Sequence, residues 1–483
     1  MPAVCQSPPA LDFLLRRINY ERTTSVPYQS ADFKLDRMRR LMHLLGDPQD
    51  AVKAIHIAGT KGKGSTAAMI AAVLQAAGYQ TGLYTSPHLD RIEERIVIDG
   101  QPCPTGSFLK LAAQVQPFVE QLDREAEANG ATGPTFFEVT TAMAFLHFAQ
   151  ENVAAAVLEV GLGGRLDSTN ICRPEVCIIT SISFDHTKQL GSTLAQIAAE
   201  KAGIIKPGIP VISGVANAEP KGVITSRATA LGAPLFQRGI DYDFESLSLS
   251  PPPPLSPSKS TPGSALNYRE RATTPTYQLR DLELFMLGSH QAANAADAIA
   301  AVRRLTDRGW QISEDAVRTG LATAQVSARI EQLQSSPTII LDVAHNLASI
   351  EALLAVLREN FTPRRRILIF ASSKDKDYTG MLKLVLPAFD VIFLTQYINN
   401  PRAVETGELL TIAQQLRNAL PLPLGEGRGE DLSFGANDSL HPTLHACVRP
   451  TEALRLARAI AQPNDLICIA GSFFLAAELR PLL

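Results

Sequence analysis

The stretch AVKAIHIAGTKGKGSTAAMIAAVLQAAG, residues 51–78, decides the fold of this chain. Its first eight residues are mostly apolar and predict a buried strand, whereas the alanine-rich segment from Ser65 onwards predicts a helix that Gly78 ends. Between them lies the glycine-rich turn GTKGKG, residues 59–64. Backbone N–H groups in such a turn, together with the positive end of the helix dipole, form a concavity that binds anions. The stretch therefore predicts a phosphate-binding loop.

Two kinds of side chain in this loop suit a nucleoside triphosphate. Lys63 can reach the β- and γ-phosphates, and the hydroxyl of Ser65 or Thr66 can bind Mg²⁺. Gly64 separates Lys63 from Ser65, so the common pattern in which the lysine directly precedes the hydroxyl residue is not met. The strand before the turn and the helix after it still favour nucleotide binding over an ordinary glycine-rich turn. The residues predicted to hold the triphosphate are Gly59, Thr60, Gly62, Lys63, Gly64, Ser65 and Thr66.

Outward from the loop, short apolar strands alternate with helices along most of the chain. The further predicted strands lie at 153–161, 176–183, 209–215, 338–346, 365–373, 390–396 and 465–474. Such alternation indicates βαβ units and mostly parallel sheets. The predicted fold class is therefore α/β. We expect an N-terminal P-loop ATP-binding domain with a mostly parallel sheet, residues 1–325, and a smaller Rossmann-like C-terminal domain, residues 326–483.

Two segments interrupt this alternation. Residues 246–263 (SLSLSPPPPLSPSKSTPG) are rich in proline and serine, and residues 420–438 (LPLPLGEGRGEDLSFGAND) are similar. Neither has enough apolar side chains to pack a core of its own. We expect both to be mobile surface insertions that can be removed with little loss of activity.

The overall composition is that of a packed globular protein without a strong charge. Of the 483 residues, 45% are hydrophobic and 19% are charged, and the net charge is −3. A nucleic acid or an anionic membrane would need a basic surface, so neither partner is expected. The six cysteines are scattered, and only Cys172 and Cys177 are close, at a spacing that does not suit a zinc site. We therefore expect thiols without a chemical role in a reducing cytoplasm. No apolar run approaches the length of about 18 residues that spans a bilayer, so we expect a soluble protein. We also expect it to be a monomer.

A series of short motifs gives the chain a resemblance to a known family. The motifs are HIAGTKGKGST (56–66), YTSPHL (84–89), FFEVTTAMAF (136–145), LEVGLGGRLDSTN (158–170), FDHTKQLG (184–191), EKAGIIKPG (200–208), HQAANAADAIAA (290–301), ARIE (328–331), LDVAHN (341–346) and GSFFLAAE (471–478). They resemble, in order, those of the folylpolyglutamate synthases, whose phosphate loop has the same additional glycine as Gly64. That family belongs to the Mur ligase superfamily. The resemblance implies an ATP-binding domain, a smaller C-terminal α/β domain and an active site in the cleft between them.

The resemblance also implies a metal site beside the loop. Two Mg²⁺ ions would be held by the side chains of Ser65, Ser86, Glu159, His186 and Lys201. Glu159 ends a predicted strand, where a carboxylate offers the hard oxygen that Mg²⁺ prefers. On the residues alone, His186 would be a structural histidine and Lys201 a solvated lysine. The resemblance implies instead that CO₂ carbamylates Lys201, which converts a cation into an anion with oxygen ligands.

Further residues match family positions that hold the nucleotide or the substrate. Asn294 would contact adenine, Arg329 the phosphates and Asp342 the ribose, and His345 would also hold the nucleotide. An arginine fork suits phosphate, and a strand-end aspartate suits a hydroxyl group. The residues that match the segments holding a pterin-bearing substrate are Thr135, Phe136, Phe137, Glu138, Leu166, Asp167 and Ser168. The two phenylalanine rings could stack on a flat heterocycle or pack in the core.

The reaction that the resemblance implies uses ATP, L-glutamate and a folate or dihydropteroate. Lys63, Lys201 and His186 are the predicted catalytic residues. The γ-phosphoryl group would move to the substrate carboxylate, and the α-amine of glutamate would then attack the acyl phosphate. The protein would position the reactants and support their charge, without a nucleophile of its own.

Three other interpretations stay open at this point. A Mur ligase of peptidoglycan synthesis has the same chemistry, but its usual nucleotide-sugar domain would not fit in the 58 residues before Gly59. A P-loop NTPase that acts as a switch or kinase would not need Glu159, His186 and Lys201 together. A protein that binds ATP without turnover is disfavoured because all the expected polar residues are present. Within the favoured family, the sequence does not distinguish a monofunctional from a bifunctional enzyme.

Overall fold

The structure is a computed structural model that describes residues 9–20, 35–247, 263–271, 276–398, 400–419 and 441–483. The predicted insertion at 420–438 lies outside the described residues, and so does the predicted insertion at 246–263 except for its first two residues and Gly263. The described chain forms two compact units. Within the described residues, the first unit contains the chain before Met286 together with Ser289–Gln325. The second unit contains Met286–Gly288 and Val326–Leu483.

The helices cover most of both units. They are α1 Pro9–Leu15, α2 Leu35–Leu44, α3 Lys63–Ala76, α4 Thr105–Ala128, α5 Phe136–Gln150, α6 Thr187–Leu190, α7 Leu194–Ala202, α8 Ala218–Ala230, α9 Ser289–Asp307, α10 Glu314–Thr323, α11 Leu347–Asn360, α12 Tyr378–Val385, α13 Thr406–Ala419, α14 Pro450–Ile460 and α15 Phe473–Leu479. Short 3-10 helices lie at Pro48–Ala51, Ile92–Arg95, Ser168–Ile171, Leu386–Ala388 and Arg480–Leu482. No described helix is both long and apolar enough to cross a bilayer.

The strands build three sheets. They are β1 Ala54–Ala58, β2 Thr81–Tyr84, β3 Ile96–Ile98, β4 Gln101–Pro102, β5 Ala155–Glu159, β6 Pro174–Ile179, β7 Val211–Ser213, β8 Leu235–Gln237, β9 Tyr242–Leu247, β10 Ser264–Glu270, β11 Gln278–Leu284, β12 Glu331–Ser335, β13 Thr338–Leu341, β14 Arg366–Phe370, β15 Val391–Thr395, β16 Thr443–Cys447 and β17 Leu466–Ala470.

The main sheet of the first unit has the order β4-β3-β2-β5-β1-β6-β7-β8. The strands from β2 to β8 in this order are parallel, and β3 and β4 extend one edge as antiparallel strands. Every residue of β1 and β5 is buried, as expected for central strands of a sheet covered on both faces. Because β1 pairs with both β5 and β6, the turns that follow these three strands meet at one edge of the sheet.

A second, antiparallel sheet of order β11-β10-β9 completes the first unit. It was not part of the sequence-based prediction. Its strand β9 contains residues 246–247, which the sequence analysis assigned to an insertion, and β10 begins at Ser264. In β10 the side chains of Leu266 and Tyr268 are buried, which is the alternating pattern of a strand. The pattern is short and lies beside a proline-rich segment, so the sequence did not predict this strand.

The second unit is built on a six-stranded sheet of order β12-β13-β17-β14-β15-β16. Its strands are parallel except for β12, which is an antiparallel edge strand beside β13. The central strands are uninterrupted apolar runs, such as LICIA in β17, and they are buried. The predicted α/β fold class, with a mostly parallel sheet in each of the two domains, is therefore confirmed.

Helix α3, which follows the phosphate loop, is held by a close helix contact. It is apolar on nearly all sides, because it packs against the main sheet and against both α9 and α10. At Gly320 of α10 the two helix backbones approach closely. A Cβ atom at this position would lie 2.5 Å from the Cα and N atoms of Val73 in α3. Only glycine fits here, so this contact fixes the position of the helix that begins in the loop.

We predict that Gly320→Ala destabilises the protein by about 2 kcal/mol, because the added methyl group separates α10 from α3. The free energy of unfolding in urea measures the effect. Gly222→Ala is the matched control: Gly222 is exposed in α8, its Cβ would meet nothing within 4 Å, and alanine there should stabilise by about 0.5–1 kcal/mol. Equal stability of the Gly320→Ala variant and the wild type would show that the close approach is not needed.

Candidate active site

The phosphate loop has the backbone of an anion-binding turn. Gly62 has φ 82° and caps the start of α3, a left-handed conformation that glycine adopts without strain. A Cβ atom at Gly62 would collide with the side chain of Asn294, and one at Gly59 would collide with that of Thr180. The first intrahelical bond of α3 runs from the Thr66 N–H to the Gly62 carbonyl. The N–H groups of Lys63 to Ser65 therefore lie at the open end of the helix, where an anion is favoured.

The residues after β6 hold this turn in place. The N–H of Thr60 donates to the Ser181 carbonyl at 2.8 Å, and the N–H of Lys61 donates to the Ser181 hydroxyl at 2.9 Å. The Thr180 hydroxyl donates to the Lys61 carbonyl at 2.6 Å. Sequence analysis missed Thr180 and Ser181. The sequence shows a run of polar residues at the end of the predicted strand 176–183. It does not show that β6 pairs with β1, which brings these residues to the loop.

Glu159 lies beside the first turn of α3. It ends β5, is 7% exposed, and its Oε1 atom lies 3.9 Å from the Lys63 Nζ. The N–H of Ser86 donates to Oε2 of Glu159 at 3.3 Å. A Cβ at Gly64 would lie 3.5 Å from the same oxygen, an ordinary contact. The structure thus brings together three of the predicted site residues, Lys63, Ser86 and Glu159.

Hydroxyl groups at the start of α3 complete this side of the site. Ser65 and Thr66 are both buried, and the Thr66 Oγ1 has no hydrogen-bond partner in the described part of the chain. No group of three or more His, Cys, Asp or Glu side chains among the described residues is arranged to hold a metal. The oxygen donors here, a carboxylate and hydroxyls, are nevertheless of the kind that Mg²⁺ prefers. The donor set therefore fits Mg²⁺ rather than a zinc or copper ion.

Lys201 is buried under the phosphate loop. The residue lies in the last turn of α7, and its Nζ atom donates to the Gly59 carbonyl at 2.9 Å. Burial and the nearby positive charge of Lys63 lower the pKa of Lys201 to about 7, against the opposing influence of Asp185 and Asp167. The expectation from the residues alone, a solvated lysine, is wrong, because α7 turns this side chain into the core.

His186 occupies a more open position. It has a left-handed backbone, φ 49°, and caps the short helix α6. Its ring is 45% exposed and its Nε2 atom lies 3.9 Å from the Asp185 carboxylate. Its role as a metal ligand stays a prediction.

The first predicted substrate segment is the start of α5. The side chains of Thr135 and Glu138 form a capping box, and the Arg37 guanidinium binds the Glu138 carboxylate through two nitrogens, at 2.9 Å and 2.7 Å. Phe136 lies in the hydrophobic core, with the Arg95 guanidinium 5.1 Å from its ring centre. Phe137 is only partly buried and contacts Gly161. Of the two rings, Phe137 is the less buried, and its contact with a substrate stays a prediction.

The second predicted substrate segment is organised by Asp167. Its buried carboxylate accepts the N–H groups of Gly161, Leu162 and Thr169 at 3.0 Å each. Burial raises the pKa of Asp167, against these hydrogen bonds. The Thr169 hydroxyl donates to Asp167 and bonds to the Nε2 atom of His56 in β1 at 2.8 Å. Burial lowers the pKa of His56 to about 3, so its ring is neutral. Because the Thr169 hydroxyl gives its hydrogen to Asp167, it can accept a hydrogen bond from Nε2 of this ring.

The flanking residues Leu166 and Ser168 have different surroundings. Leu166 packs against the apolar cluster around α7, and Ser168 is 8% exposed. Asp167 therefore shapes the loop through its own hydrogen bonds, and His56 and Thr169 connect that loop to the phosphate-binding strand. Sequence analysis missed both residues, since a histidine in an apolar strand gives no sign of its partner.

The predicted nucleotide contacts fall in both units. In the first, Asn294 of α9 lies against Gly62 and donates to Gln291 at 2.9 Å. In the second, Asp342 is buried and accepts the N–H groups of Ile330 at 2.8 Å and Ala344 at 2.7 Å. Burial raises the pKa of Asp342, whereas Arg329 lowers it.

His345 follows the same strand end. Its Nδ1 atom bonds to the Val343 carbonyl at 2.8 Å, and its backbone N–H donates to Ser349. Since Asp342, Arg329 and His345 all lie at the carboxyl end of β13 or beside it, the second unit presents an acid, an arginine and a histidine in one region.

Comparison with known proteins gives consistent matches along the chain. Residues 57–302 match the Mur ligase middle domain, and residues 328–473 match the Mur ligase glutamate ligase domain. The chain is 34% identical to a dihydrofolate synthase/folylpolyglutamate synthase of Bacillus subtilis, over 92% of this chain and 94% of that protein. The structure of Mycobacterium tuberculosis folylpolyglutamate synthase complexed with ADP is similar, with a TM-score of 0.81 at 30% identity over 98% of each chain. Escherichia coli FolC in complex with DHPP and ADP gives a TM-score of 0.76 at 27% identity, over 99% and 98%.

We predict that Lys201 makes stability depend on pH in CO₂-free buffer. The pKa of Lys201 is about 7 in the folded protein, and its ordinary value, which applies to the unfolded chain, is 10.5. Between these two pH values the unfolded chain therefore binds more protons than the folded protein. Stability relative to a Lys201→Met variant should therefore rise with pH from about 7 to 10.5. Urea unfolding of both proteins across this range measures the difference.

Lys110→Met, which removes an exposed lysine of α4, is the control and should follow the wild-type profile. If the Lys201→Met variant and the wild type have parallel stability profiles over the whole range, the amine is not buried as described.

Proposed function

Because the chain belongs to the Mur ligase family and, within it, to the folylpolyglutamate synthases, we propose that it joins L-glutamate to a folate with ATP. One observation carries this function: Lys63, Glu159 and Lys201 converge on the turn between β1 and α3. A lysine, a carboxylate and a buried amine around an anion-binding turn suit the transfer of a phosphoryl group. A nucleotide switch would have no use for the buried amine.

ATP binds with its triphosphate on residues 59–66. The N–H groups at the start of α3 and the Lys63 ammonium face the phosphates. Ser65, Ser86, Glu159, His186 and Lys201 would hold Mg²⁺, as two ions. When bound, these ions neutralise charge on the phosphoryl group that is transferred.

The reaction proceeds through an acyl phosphate. A carboxylate oxygen of the folate attacks the γ-phosphorus and ADP leaves. The α-amine of glutamate then attacks the acyl carbon, and the resulting tetrahedral intermediate loses inorganic phosphate and a proton to give the amide. The chain positions the reactants and stabilises the transferred charge through Lys63.

Lys201 enters this site as a carbamate. The neutral amine adds to CO₂, forms an N–C bond and releases one proton, which leaves an anionic carboxylate on nitrogen. Burial supports this step, because a pKa of about 7 leaves much of the amine neutral at physiological pH. The carbamate keeps one N–H, so the hydrogen bond to the Gly59 carbonyl can persist.

The other residues predicted to hold the nucleotide or the folate belong to the same proposal. Asn294 contacts the adenine, Arg329 the phosphates and Asp342 a ribose hydroxyl, with His345 nearby. Each Asp342 oxygen already accepts one backbone N–H, and each has a further lone pair for a hydroxyl. For the folate, Phe137 offers an aromatic surface, while Glu138 and Asp167 shape the segments that contact it.

The substrate range and the cellular setting are part of the same proposal. A cytoplasmic location agrees with the five described cysteines, which are all free and buried. A monomeric state is part of the same proposal. The relatives include proteins named for both dihydrofolate synthase and folylpolyglutamate synthase activity.

We predict that Lys63→Ala lowers kcat for glutamate-dependent ADP release at least about hundredfold, because a charge that faces the γ-phosphoryl group is lost. Lys188→Ala, in the exposed part of α6, is the control and should keep wild-type turnover. Full activity of the Lys63→Ala variant would contradict the proposed reaction.

We also predict that ADP release requires glutamate together with tetrahydrofolate or dihydropteroate. Comparing the two acceptors in one assay determines the specificity: turnover with both defines a bifunctional enzyme. Turnover with neither, but with a muramyl substrate, would refute the folate assignment, and ATP hydrolysis independent of any acceptor would indicate an NTPase.

A further inference from the structure

The turn that presents Arg329 has an unusual backbone. Ala328 has φ 54° and Ile330 has φ 51°, so both neighbours of Arg329 are left-handed. Residues with a Cβ rarely adopt this conformation, and a β-branched isoleucine does so only when its surroundings enforce it. The side chains of Ala328 and Ile330 are buried, whereas that of Arg329 is exposed. The fold therefore uses a strained turn to direct one arginine outwards.

Three backbone hydrogen bonds hold the turn from within the second unit. The Ala328 N–H donates to Oε2 of Glu331 at 2.7 Å, and the Val343 N–H donates to the Ala328 carbonyl at 3.0 Å. The Ile330 N–H donates to Oδ2 of Asp342 at 2.8 Å. Both left-handed residues are thus bonded through their N–H groups to a carboxylate, and the turn depends on where those carboxylates lie.

The Glu331 carboxylate is itself held by Arg480. The Nη2 atom of Arg480 donates to Oε1 at 3.0 Å and its Nε donates to Oε2 at 3.3 Å. The same Nη2 lies 3.4 Å from the Ser327 hydroxyl, on the other side of the turn. Arg480 begins the 3-10 helix that follows α15, so it reaches the turn from the far end of the chain. It connects Ser327 and Glu331, the two residues that flank the strained segment.

We propose that the Arg480–Glu331 pair is a positioning device that keeps Ala328 and Ile330 left-handed, so that Arg329 between them meets the nucleotide phosphates. This inference rests on the proposed function, in which Arg329 contacts those phosphates. Arg480 touches no reacting group in this scheme. Without its guanidinium, the Glu331 carboxylate is free to rotate away from the Ala328 N–H, and the turn relaxes towards ordinary φ values. The Arg329 side chain then points elsewhere.

The competing explanation is that the ion pair contributes only to overall stability. Both partners are partly exposed, at 28% and 22%, and such pairs usually add little stability. A purely structural role would lower the unfolding temperature and leave the KM for ATP unchanged. If the pair has a positioning role, its loss raises the KM for ATP. This effect should require Arg329, and it should disappear when the turn is no longer strained.

The experiment is a double-mutant cycle in the full-length enzyme, with the KM for ATP, kcat and the unfolding temperature measured for each variant. Arg480→Met keeps the aliphatic length and removes the fork, and should raise the KM for ATP about fivefold. Arg329→Ala should raise it at least as much. In the Arg329→Ala background, Arg480→Met should add less than about twofold, because the residue it positions is absent.

A rescue variant separates positioning from stability. Glycine adopts left-handed φ values without strain, so Ala328→Gly combined with Arg480→Met should return the KM for ATP towards the wild-type value. Arg458→Met is the matched control: Arg458 bonds to the Leu482 carbonyl beside Arg480 but does not touch the turn, and its KM should be unchanged.

Each outcome decides the proposal. A normal KM in Arg480→Met, additive effects in the cycle, or no rescue by Ala328→Gly would overturn the positioning role. The proposed function would still stand in these cases if Arg329→Ala raises the KM. An unchanged KM in Arg329→Ala would remove Arg329 from the nucleotide site and overturn the inference with it. Failure of the wild type to ligate glutamate would be a failure of the proposed function itself.

Discussion

The hydrogen bond from the buried Lys201 amine to the Gly59 carbonyl is the interaction on which the site depends. It links α7 to the first residue of the phosphate loop, and it can form only because β1 and α7 bring a lysine under that loop. A buried cation is unfavourable, and the nearby Lys63 makes it more so, which explains the lowered pKa of Lys201. The fold keeps this unfavourable group beneath the loop, at the place where we propose that it reacts with CO₂.

The same loop is fixed from its other side by the residues after β6. Thr60 and Lys61 use their N–H groups on Ser181, so these two groups are not directed at a ligand. The anion-binding capacity falls instead to the first turn of α3. The close packing of α3 on α10, where only Gly320 fits, then determines where that turn lies. Binding at the loop and packing of the helix core are therefore parts of one constraint.

Several carboxylates in the two units hold backbone N–H groups or a neighbouring guanidinium in place. Asp167 is occupied by three N–H groups and the Thr169 hydroxyl, and Glu138 by Arg37 and the capping box. In the second unit, Asp342 and Glu331 hold the left-handed residues on either side of Arg329. These carboxylates position loops, and the residues beside them are the ones that we propose to meet the substrate or the nucleotide. Sequence similarity alone marks such residues as part of a site without distinguishing the two roles.

The sequence by itself determined the α/β class, the strand–turn–helix of the phosphate loop and the family. These follow from local patterns: apolar periodicity, the glycines at 59, 62 and 64, and motifs in a fixed order. Even so, α3 begins at Lys63 rather than at Ser65, because Gly62 is able to cap it in a left-handed conformation. The small antiparallel sheet and the edge strand β12 were not predicted, since their alternating patterns are short.

Only the tertiary structure decided that Lys201 is buried, that Phe136 is a core residue while Phe137 is partly exposed, and that Arg480 reaches the turn around Arg329. The partners in each case are far apart in the chain, as with Lys201 and Gly59 or Arg480 and Glu331. A pattern within one segment carries no information about such contacts. They arise from the order of strands in the two sheets and from the direction in which each helix presents its side chains.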